Sequence, residues 1–354
     1  MPHLILAVNP GSTSTKIGLF NDETPVFTKT IEHDHGEVQK FPTIASQKDF
    51  RLQFVMKCIE EEGVNLKDIK GVVGIGGLLP PIETGGYKVN KKMLDILTNE
   101  KGIAAHASNL GAIIASMIAE RAGCDAFIYD AVSAGILPDI AKLTGFPEIE
   151  RRSLSHALNM RAQSIQFAKK MNRRFEDLNL IIAHLGGGVS LAVYEKGRLV
   201  DSVGDDLGPF SSERSGGAPL MDFVDLCYDK GLDKKDVQRR IRGGGGIKAL
   251  LGTASMKEVE ARVNNGDEHA QMVVNALCYN AAKGIASMAA AVKGTCDGII
   301  LTGGMMRWEL VATLIRERIE FIAPVTVMPG EYELEALAAG CLRIITGQEK
   351  AREM

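Results

Sequence analysis

The segment LILAVNPGSTSTKIGLF, Leu4–Phe20, contains two apolar stretches separated by a polar loop. The first stretch ends at Asn9-Pro10-Gly11, and four hydroxyl-bearing residues and Lys16 precede the second stretch. Short apolar stretches bounded by turn residues are typical of buried β-strands. The segment therefore predicts a strand, a polar loop and a second strand that returns antiparallel to the first.

A segment of the same kind occurs again about half the chain length further on, in a chain of 354 residues. LIIAHLGGGVS, Leu180–Ser190, aligns with LILAVNPGSTS, Leu4–Ser14, in its apolar strand, one loop glycine and the closing serine. It continues into another short strand and then Lys196-Gly197, a pair that favours a tight hairpin turn. The likeness predicts that the chain is an internal duplication.

One further apolar stretch in each half ends in paired glycines: GVVGIGG, Gly71–Gly77, and GIILTGG, Gly298–Gly304. These two stretches are further apart than the opening strands, so the second half must contain an insertion, which we place within residues 208–265. Further strands are predicted at Phe127–Tyr129 and Val325–Met328. Helices are predicted at Gln53–Glu62, Ser108–Ala122, Ala157–Met171, Gln271–Val292 and Trp308–Ile319. Strands that alternate with helices after an opening hairpin indicate an α/β protein with mixed sheets.

Composition excludes several classes of function. The formal charge of −3 is spread along the chain, so no basic patch for nucleic acid is expected. The sequence lacks the apolar run of about 20 residues that a membrane helix needs. The six cysteines are scattered without a CxxC pair, which predicts buried free thiols and a reducing, cytoplasmic location. The length is sufficient for two domains, and a cleft between two domains is a common ligand site.

The two polar loops have the chemistry of phosphate binding. In NPGSTSTK, Gly11 permits close approach of the backbone, the hydroxyls can donate hydrogen bonds, and Lys16 adds a positive charge. The segment is not a Walker A loop, because the GxxxxGK[ST] spacing is absent. In HLGGGVS, three consecutive glycines can direct N–H groups at an anion. The hydroxyls of the first loop could instead form hydrogen bonds only within their own turn. Two loops that can each bind phosphate are, however, what a phosphotransferase requires.

Several motifs together resemble the acetate and butyrate kinase family. They are LAVNPGSTSTK, RRSLSHALN, AHLGGGVSLAVYEKGRLVDSVGDD, GPFSSERSGG and IILTGG, and the likeness covers nearly the whole chain. The resemblance implies the duplicated ribonuclease-H-like fold of the actin-like ATPases, with two lobes, each a mixed sheet flanked by helices. It also implies reversible phosphorylation of a short-chain carboxylate such as butyrate or a branched acid, with ATP/ADP and Mg²⁺.

The same resemblance gives expected boundaries and site residues. Residues 1–155 are expected to form the N-terminal lobe, with a C-terminal helix at about 333–354 packing back on it, and 156–332 the nucleotide-binding lobe. The expected catalytic residues are Arg214, His184, Asp130 and His156. Residues expected to bind phosphate or nucleotide are Ser12, Ser14, Lys16, Gly186, Gly187, Gly188, Gly303 and Gly304. Asn9 and Glu333 are expected at the metal, and His106 and Ile75 next to the substrate.

Some of these assignments have alternatives. Glu331 and Glu335 compete with Glu333, because the register of PGEYELEALAAG is loose. His106 precedes a predicted helix and could simply cap it. Ile75 stands in GIGG where the family usually has Arg, so either substrate anchoring is weaker or another cation takes the place of that Arg. With weaker anchoring and added apolar surface, longer or branched acids should be favoured over acetate.

A carboxylate acceptor is already a nucleophile at neutral pH, so cations and N–H donors rather than a general base should dominate the site. By resemblance, Arg214 stabilises the transition state. A kinase for acetate or propionate would differ only in its apolar pocket, whereas a sugar or glycerol kinase of the same fold would need a base, for which Asp130 is the candidate. A filament-forming ATPase or a transcription regulator would need polymer contacts or a DNA-binding domain. We expect an enzyme that forms a homodimer or a higher homo-oligomer.

Overall fold

The computed structural model describes residues 2–100, 102–204, 206–229 and 231–354, except for the side chain of His35. The chain divides into two compact units. The first unit comprises the chain up to Ile136 together with Ala157–Asn159 and Tyr332–Met354, and the second comprises Leu137–His156 and Met160–Glu331.

Strands and helices alternate after an opening hairpin in each unit. The strands are β1 (Leu4–Pro10), β2 (Ser14–Asn21), β3 (Thr24–Glu32), β4 (Ile69–Ile75), β5 (Gly86–Lys88), β6 (Asp125–Tyr129), β7 (Asn179–Leu185), β8 (Val189–Glu195), β9 (Arg198–Val203), β10 (Gly298–Gly303) and β11 (Val325–Pro329). The helices are α1 (His35–Gln39), α2 (Lys48–Glu61), α3 (Lys91–Asn99), α4 (Leu110–Ala122), α5 (Asp139–Lys142), α6 (Ala157–Lys170), α7 (Leu220–Asp229), α8 (Lys234–Ile241), α9 (Gly246–Leu251), α10 (Met256–Asn264), α11 (Glu268–Met288), α12 (Glu309–Ile319) and α13 (Glu333–Ile345).

Five strands of each sheet have the same order, which confirms the predicted duplication, and β5 is an additional strand of the first sheet. The first sheet has the strand order β3-β2-β1-β4-β6-β5, and the second has β11-β10-β7-β8-β9. In each, the opening strand pairs antiparallel with the strand that follows it and parallel with the glycine-ended strand, β4 or β10. Because the opening strand is central in both sheets, each polar loop begins at the end of a buried strand.

The hairpin predicted at Lys196-Gly197 joins β8 to β9. Both residues have positive φ angles, 48° and 73°, as a tight two-residue hairpin turn requires. The predicted strands and helices correspond to β6, β11, α2, α4, α6, α11 and α12. The predicted insertion region contains α7–α10, which lie between β9 and α11.

The C-terminal helix is shorter than predicted. We expected helix over about 333–354, but α13 ends at Ile345, and Gly347 follows with a φ of 75°. Turns and bends follow at 346–349, and beyond them Arg352 exchanges backbone hydrogen bonds with Gly86 and Lys88. Helix α13 belongs to the first unit.

The cysteines are unpaired in the structure. Cys58, Cys278 and Cys341 are buried, and Cys124, Cys227 and Cys296 are partly buried. Burial raises the pKa of the Cys278 thiol to about 12, so this thiol stays protonated at neutral pH. Within the described residues, no helix has the length and apolar character needed to cross a membrane.

Helix α4 packs directly on the backbone of β4. A Cβ at Gly74 would lie 2.2 Å from the carbonyl oxygen of Gly111 on α4, well inside van der Waals contact. Most apolar residues of α4 are buried in the core of the first unit, and Ile114 and Ile118 are fully buried.

We expect Gly74→Ala to lower the free energy of unfolding by about 3 kcal/mol, because two backbone segments must separate to admit the methyl group. Urea unfolding followed by circular dichroism measures this. Gly145→Ala is the control, since a Cβ there meets no atom within 4 Å. Equal stability of the two variants would contradict the close packing of α4 on β4.

Candidate functional site

The first polar loop, Gly11–Ser14, is held by one buried guanidinium. Arg51 on α2 donates from Nη1 to the carbonyl oxygens of Gly11 and Ser14, each at 2.8 Å, and from Nη2 to that of Ser12 at 2.9 Å. Its Nε donates to Gln47 at 3.0 Å. The Arg51 residue is fully buried, and every one of these partners is an uncharged oxygen.

This arrangement determines which way the loop N–H groups point. In a trans peptide the carbonyl and the N–H of the next residue point in opposite directions. Because the carbonyls of Gly11 and Ser12 face Arg51, the N–H groups of Ser12 and Thr13 point away from it, and they donate to no other described residue. The loop therefore offers N–H donors to an anion from a rigid support.

Arg51 was not predicted from the sequence. It lies on the same helical face as the buried residues Leu52, Val55 and Ile59, so it is an arginine at an apolar position of an amphipathic helix. That pattern is a usable signal, because a buried arginine requires several oxygen partners. Burial lowers the pKa of the Arg51 guanidinium, although arginine remains charged at neutral pH.

The predicted metal and phosphate residues of the first unit meet at the start of α13. Asn9 Nδ2 donates to Glu333 Oε2 at 2.6 Å, and the Lys16 ammonium nitrogen lies 3.8 Å from the same oxygen. Ser12 lies in the connection between β1 and β2, and Ser14 begins β2. Of the three candidate glutamates, Glu333 thus contacts the predicted site residues Asn9 and Lys16.

The other predicted residues of the first unit are placed as follows. Asp130 follows β6 with a φ of 41° and is buried; its carboxylate accepts from the Gly85 N–H at 2.7 Å. His106 is exposed and caps a short helical turn, with Nδ1 accepting from the Ser108 N–H at 3.2 Å. Ile75 ends β4 with 9% of its surface exposed, and its backbone and side chain lie against Gly111. The role of each in substrate binding stays a prediction.

The second loop, Gly186–Gly188, is held in a similar way. The Gly186 N–H donates to the Gly188 carbonyl at 2.9 Å, and the Gly187 carbonyl accepts from the hydroxyl of Ser211 at 2.6 Å. The N–H of Gly188 consequently points away from Ser211. Within the described ranges, the N–H groups of Gly187 and Gly188 donate to no protein acceptor.

Two histidines stack beside this loop. The rings of His156 and His184 are nearly parallel, with centroids 3.9 Å apart. His156 Nδ1 lies 2.9 Å from Ser190 Oγ, and His184 Nε2 lies 3.5 Å from Glu331 Oε1. Burial, and then the neighbouring His184, lower the pKa of His156 to about 3. His156 is therefore a neutral imidazole at physiological pH.

Arg214 lies in a turn that contacts the second loop. The Ser211 N–H donates to the Arg214 carbonyl at 3.0 Å and closes the turn Ser211–Arg214. The guanidinium is partly exposed, and its Nη1 donates to the Glu213 carbonyl at 3.4 Å. The structure thus places Arg214, His156, His184 and the glycine loop in the second unit.

Gly303 and Gly304 differ in what their missing side chains permit. Gly303 has a φ of 97°, and a Cβ there would lie 2.3 Å from the Leu185 carbonyl oxygen. This glycine is therefore required by the close approach of β10 to the end of β7. A Cβ on Gly304 would meet no atom within 4 Å, so the space beside it is open to a ligand.

Comparison with known proteins identifies the family. The family model of the Acetokinase family matches residues 151–326. The chain is 46% identical over 352 residues, 98% of both proteins, to a Coprothermobacter proteolyticus protein named "Probable butyrate kinase". It is 43% identical to butyrate kinase 2 of Clostridium acetobutylicum, over 100% of this chain and 99% of that protein. The chain belongs to the acetokinase family.

Solved structures of acetokinase-type enzymes have the same fold. The acetate kinase of Porphyromonas gingivalis aligns with 97% of this chain and 100% of its own, with a TM-score of 0.78 and 17% identity. A propionate kinase from Francisella tularensis aligns with 96% of this chain and 98% of its own, with a TM-score of 0.77 and 18% identity. The predicted α/β fold, with two mixed sheets flanked by helices, is confirmed.

We expect Arg51→Lys to lower kcat/KM by more than about tenfold, because one ammonium group cannot replace a guanidinium that holds three loop carbonyls. Initial rates at varied ATP and acid measure the effect. Arg262→Lys is the control: Arg262 also bonds a backbone carbonyl, that of Leu251 at 2.8 Å, together with Asp267, but it contacts neither loop. If both variants keep wild-type kinetics, Arg51 does not determine the geometry of the first loop.

Proposed function

We propose that this acetokinase-family chain is a butyrate-type kinase that transfers the γ-phosphoryl group of ATP reversibly to a short-chain carboxylate, butyrate or a branched acid. The observation that carries the proposal is the pair of loops, Gly11–Ser14 and Gly186–Gly188. In each loop a buried side chain donates hydrogen bonds to carbonyl oxygens, and backbone N–H groups on the opposite side can donate to phosphate. Near-full-length similarity to two proteins named as butyrate kinases supports the choice of acceptor.

The acceptor needs no general base. A short-chain acid is ionised at neutral pH, so its carboxylate oxygen can attack phosphorus directly, and the new P–O bond forms as the bond to the ADP oxygen breaks. The protein must then position two anions and balance their charge. Asp130 is the candidate base of a hydroxyl-directed kinase. Its carboxylate accepts a hydrogen bond from the Gly85 N–H, which suits a structural role better than proton abstraction from a hydroxyl.

Positive charge and N–H donors are assigned as follows. Lys16 and the N–H groups of Ser12 and Thr13 bind phosphate oxygens in the first unit. Gly187 and Gly188 donate to phosphate in the second unit, where Arg214 stabilises charge on the transferring phosphoryl group. A planar guanidinium with several donors is suited to the equatorial oxygens of that group.

In the stacked pair of His156 and His184, His156 takes part as an uncharged imidazole. Its pKa of about 3 leaves that ring neutral throughout the physiological range. It lies near Ser190 and His184, so it serves as a hydrogen-bonding and packing group that orients His184.

The residues at the start of α13 fit a magnesium ion that accompanies the nucleotide. Mg²⁺ is commonly bound through one or two carboxylates together with substrate phosphates and water. Asn9 has an amide oxygen and Glu333 a carboxylate that can bind the ion, and the hydrogen bond from Asn9 Nδ2 to Glu333 Oε2 at 2.6 Å holds the two side chains together. In the described part of the chain, no cluster of three or more His, Cys, Asp or Glu could bind a metal by itself. We propose that Asn9 and Glu333 hold the ion, which when bound neutralises phosphate charge.

Hydroxylamine trapping tests the reaction. With Mg-ATP, we expect acyl hydroxamate from straight and branched acids of two to six carbons, with a graded preference for butyrate or branched acids over acetate. One methylene in an apolar pocket is worth only about 10- to 200-fold, so the preference should not be absolute. Glycerol and hexoses are the control acceptors, with ADP release as the readout. Phosphorylation of a polyol without acyl hydroxamate would overturn the proposal. If acetate gives the highest rate of hydroxamate formation, acetate rather than butyrate is the preferred acceptor.

We expect Arg214→Ala to lower kcat by about 10³-fold with KM for ATP changed only a few-fold, because the contact strengthens in the transition state. Arg214→Lys should recover only a small part, since it restores the charge but not the planar donors. Arg239→Ala, which removes an exposed arginine paired with Asp236 on α8, is the control. An Arg214→Ala enzyme within a few-fold of wild type would exclude Arg214 from the mechanism.

A further inference from the structure

The hydroxyl of Ser211 connects the glycine loop to the turn that carries Arg214. Its Oγ donates to the Gly187 carbonyl at 2.6 Å. The same Oγ accepts from the Arg214 N–H at 3.1 Å and from the Glu213 N–H at 3.4 Å. One side chain is thus bonded to the backbone of both Gly187 and Arg214.

The hydrogen-bonding capacity of this hydroxyl is fully used. A serine hydroxyl has one proton to donate and two lone pairs to accept. All three are engaged, and Ser211 has 0% of its surface exposed, so water does not compete for the bonds. The position of Ser211 Oγ is therefore determined by the glycine loop and the Arg214 turn together.

The backbone of the turn is fixed from its other side by the residues around α9. Ser211 and Ser212 carbonyls accept from the N–H groups of Ile247 and Lys248, each at 2.9 Å. A Cβ at Gly246 would lie 2.0 Å from the Ser211 carbonyl oxygen, so the glycine is required there. The glycine-rich stretch near Gly243–Gly246 consequently serves as a scaffold for the Arg214 turn.

We propose that Ser211 is a positioning residue, which sets the Arg214 turn at a fixed distance from Gly187. The inference rests on the proposed function, in which the glycine loop binds phosphate and Arg214 stabilises the transferring group. Binding of ATP can tolerate a small displacement of the turn, but transition-state stabilisation by Arg214 requires close placement. Loss of the hydroxyl should therefore reduce kcat and leave the KM for ATP nearly unchanged.

Ser211→Ala and Ser212→Ala form a matched pair. Ser212 is also buried and also faces the Gly187 carbonyl, but at 3.5 Å. We expect Ser211→Ala to lower kcat by about tenfold or more, with KM for ATP and butyrate within about threefold, and Ser212→Ala to stay within about threefold in kcat. Ser211→Cys keeps a polar γ atom, although sulfur is larger and its S–H is a much weaker donor, so it replaces Ser211→Ala if the alanine variant does not fold, and the same loss is expected.

A double-mutant cycle separates positioning from a general structural effect. If Ser211 acts through Arg214, Ser211→Ala should change kcat by less than about threefold in an Arg214→Ala background. A merely structural role would give the same loss in both backgrounds. That result, or equal kinetics for Ser211→Ala and Ser212→Ala, would overturn the inference.

Hydrogen exchange provides a readout that does not depend on activity. We expect peptides covering 185–190 and 209–216 to exchange faster in Ser211→Ala than in wild type, and to be unchanged in Ser212→Ala. If hydrogen exchange in these peptides is the same in Ser211→Ala and wild type, the inference is overturned, whatever the catalytic activity of the wild-type enzyme. A wild-type enzyme that yields no acyl hydroxamate, with exchange increased as expected, would overturn the proposed function but leave the link from Ser211 to Gly187 and Arg214 established.

Discussion

The candidate site depends on hydrogen bonds that buried side chains donate to the carbonyl oxygens of the two loops, on the side opposite the N–H groups that can donate to phosphate. In the first unit the carbonyls of Gly11, Ser12 and Ser14 are bound by Arg51, and in the second the Gly187 carbonyl is bound by Ser211. Since each trans peptide fixes the next N–H opposite its carbonyl, the side chain behind the loop determines what the loop presents in front. A loop left to solvent could rotate these peptides, and the donors would then have to be ordered when the phosphate binds.

The two supports solve the problem at different energetic cost. A buried guanidinium without a carboxylate partner is expensive to desolvate, and only a full set of oxygen partners offsets that cost. Each of the three nitrogens of Arg51 donates to at least one oxygen, and the nearby His33, whose pKa burial lowers to about 4, remains neutral and adds no second charge. Ser211 is a neutral group with all of its hydrogen-bonding capacity used, so it achieves the same orientation of the backbone without burying a charge.

The duplicated units have diverged in what surrounds the equivalent loop. Just after the first loop, Lys16 on β2 supplies a cation, and it lies beside Glu333, which also accepts from Asn9. The second loop consists of glycines, and the positive group near it, Arg214, belongs to the turn that follows β9. Residues of the insertion, including Gly246 and Ile247, support that turn. The insertion therefore supplies the second unit with structure that the first unit lacks.

The sequence by itself determined the elements and their class. The period of apolar residues, the Lys196-Gly197 turn and the likeness of Leu4–Ser14 to Leu180–Ser190 are local patterns, and they predicted the hairpins, the main helices and the duplication. The motifs predicted the family, and the residues that the structure gathers at each loop, including Asn9 and His184, were among those they pointed to.

Only the tertiary structure decided which side chains support the loops and in what electrostatic state the groups exist. Arg51 is far from the loop in sequence, Ser211 is one of three serines in GPFSSERSGG, and the pairing of Arg352 with Gly86 and Lys88 joins residues remote in the chain. The choice of Glu333 over Glu331 and Glu335 likewise required its contact with Asn9. These outcomes depend on distances between residues remote in the chain and on burial, and periodicity and spacing report neither.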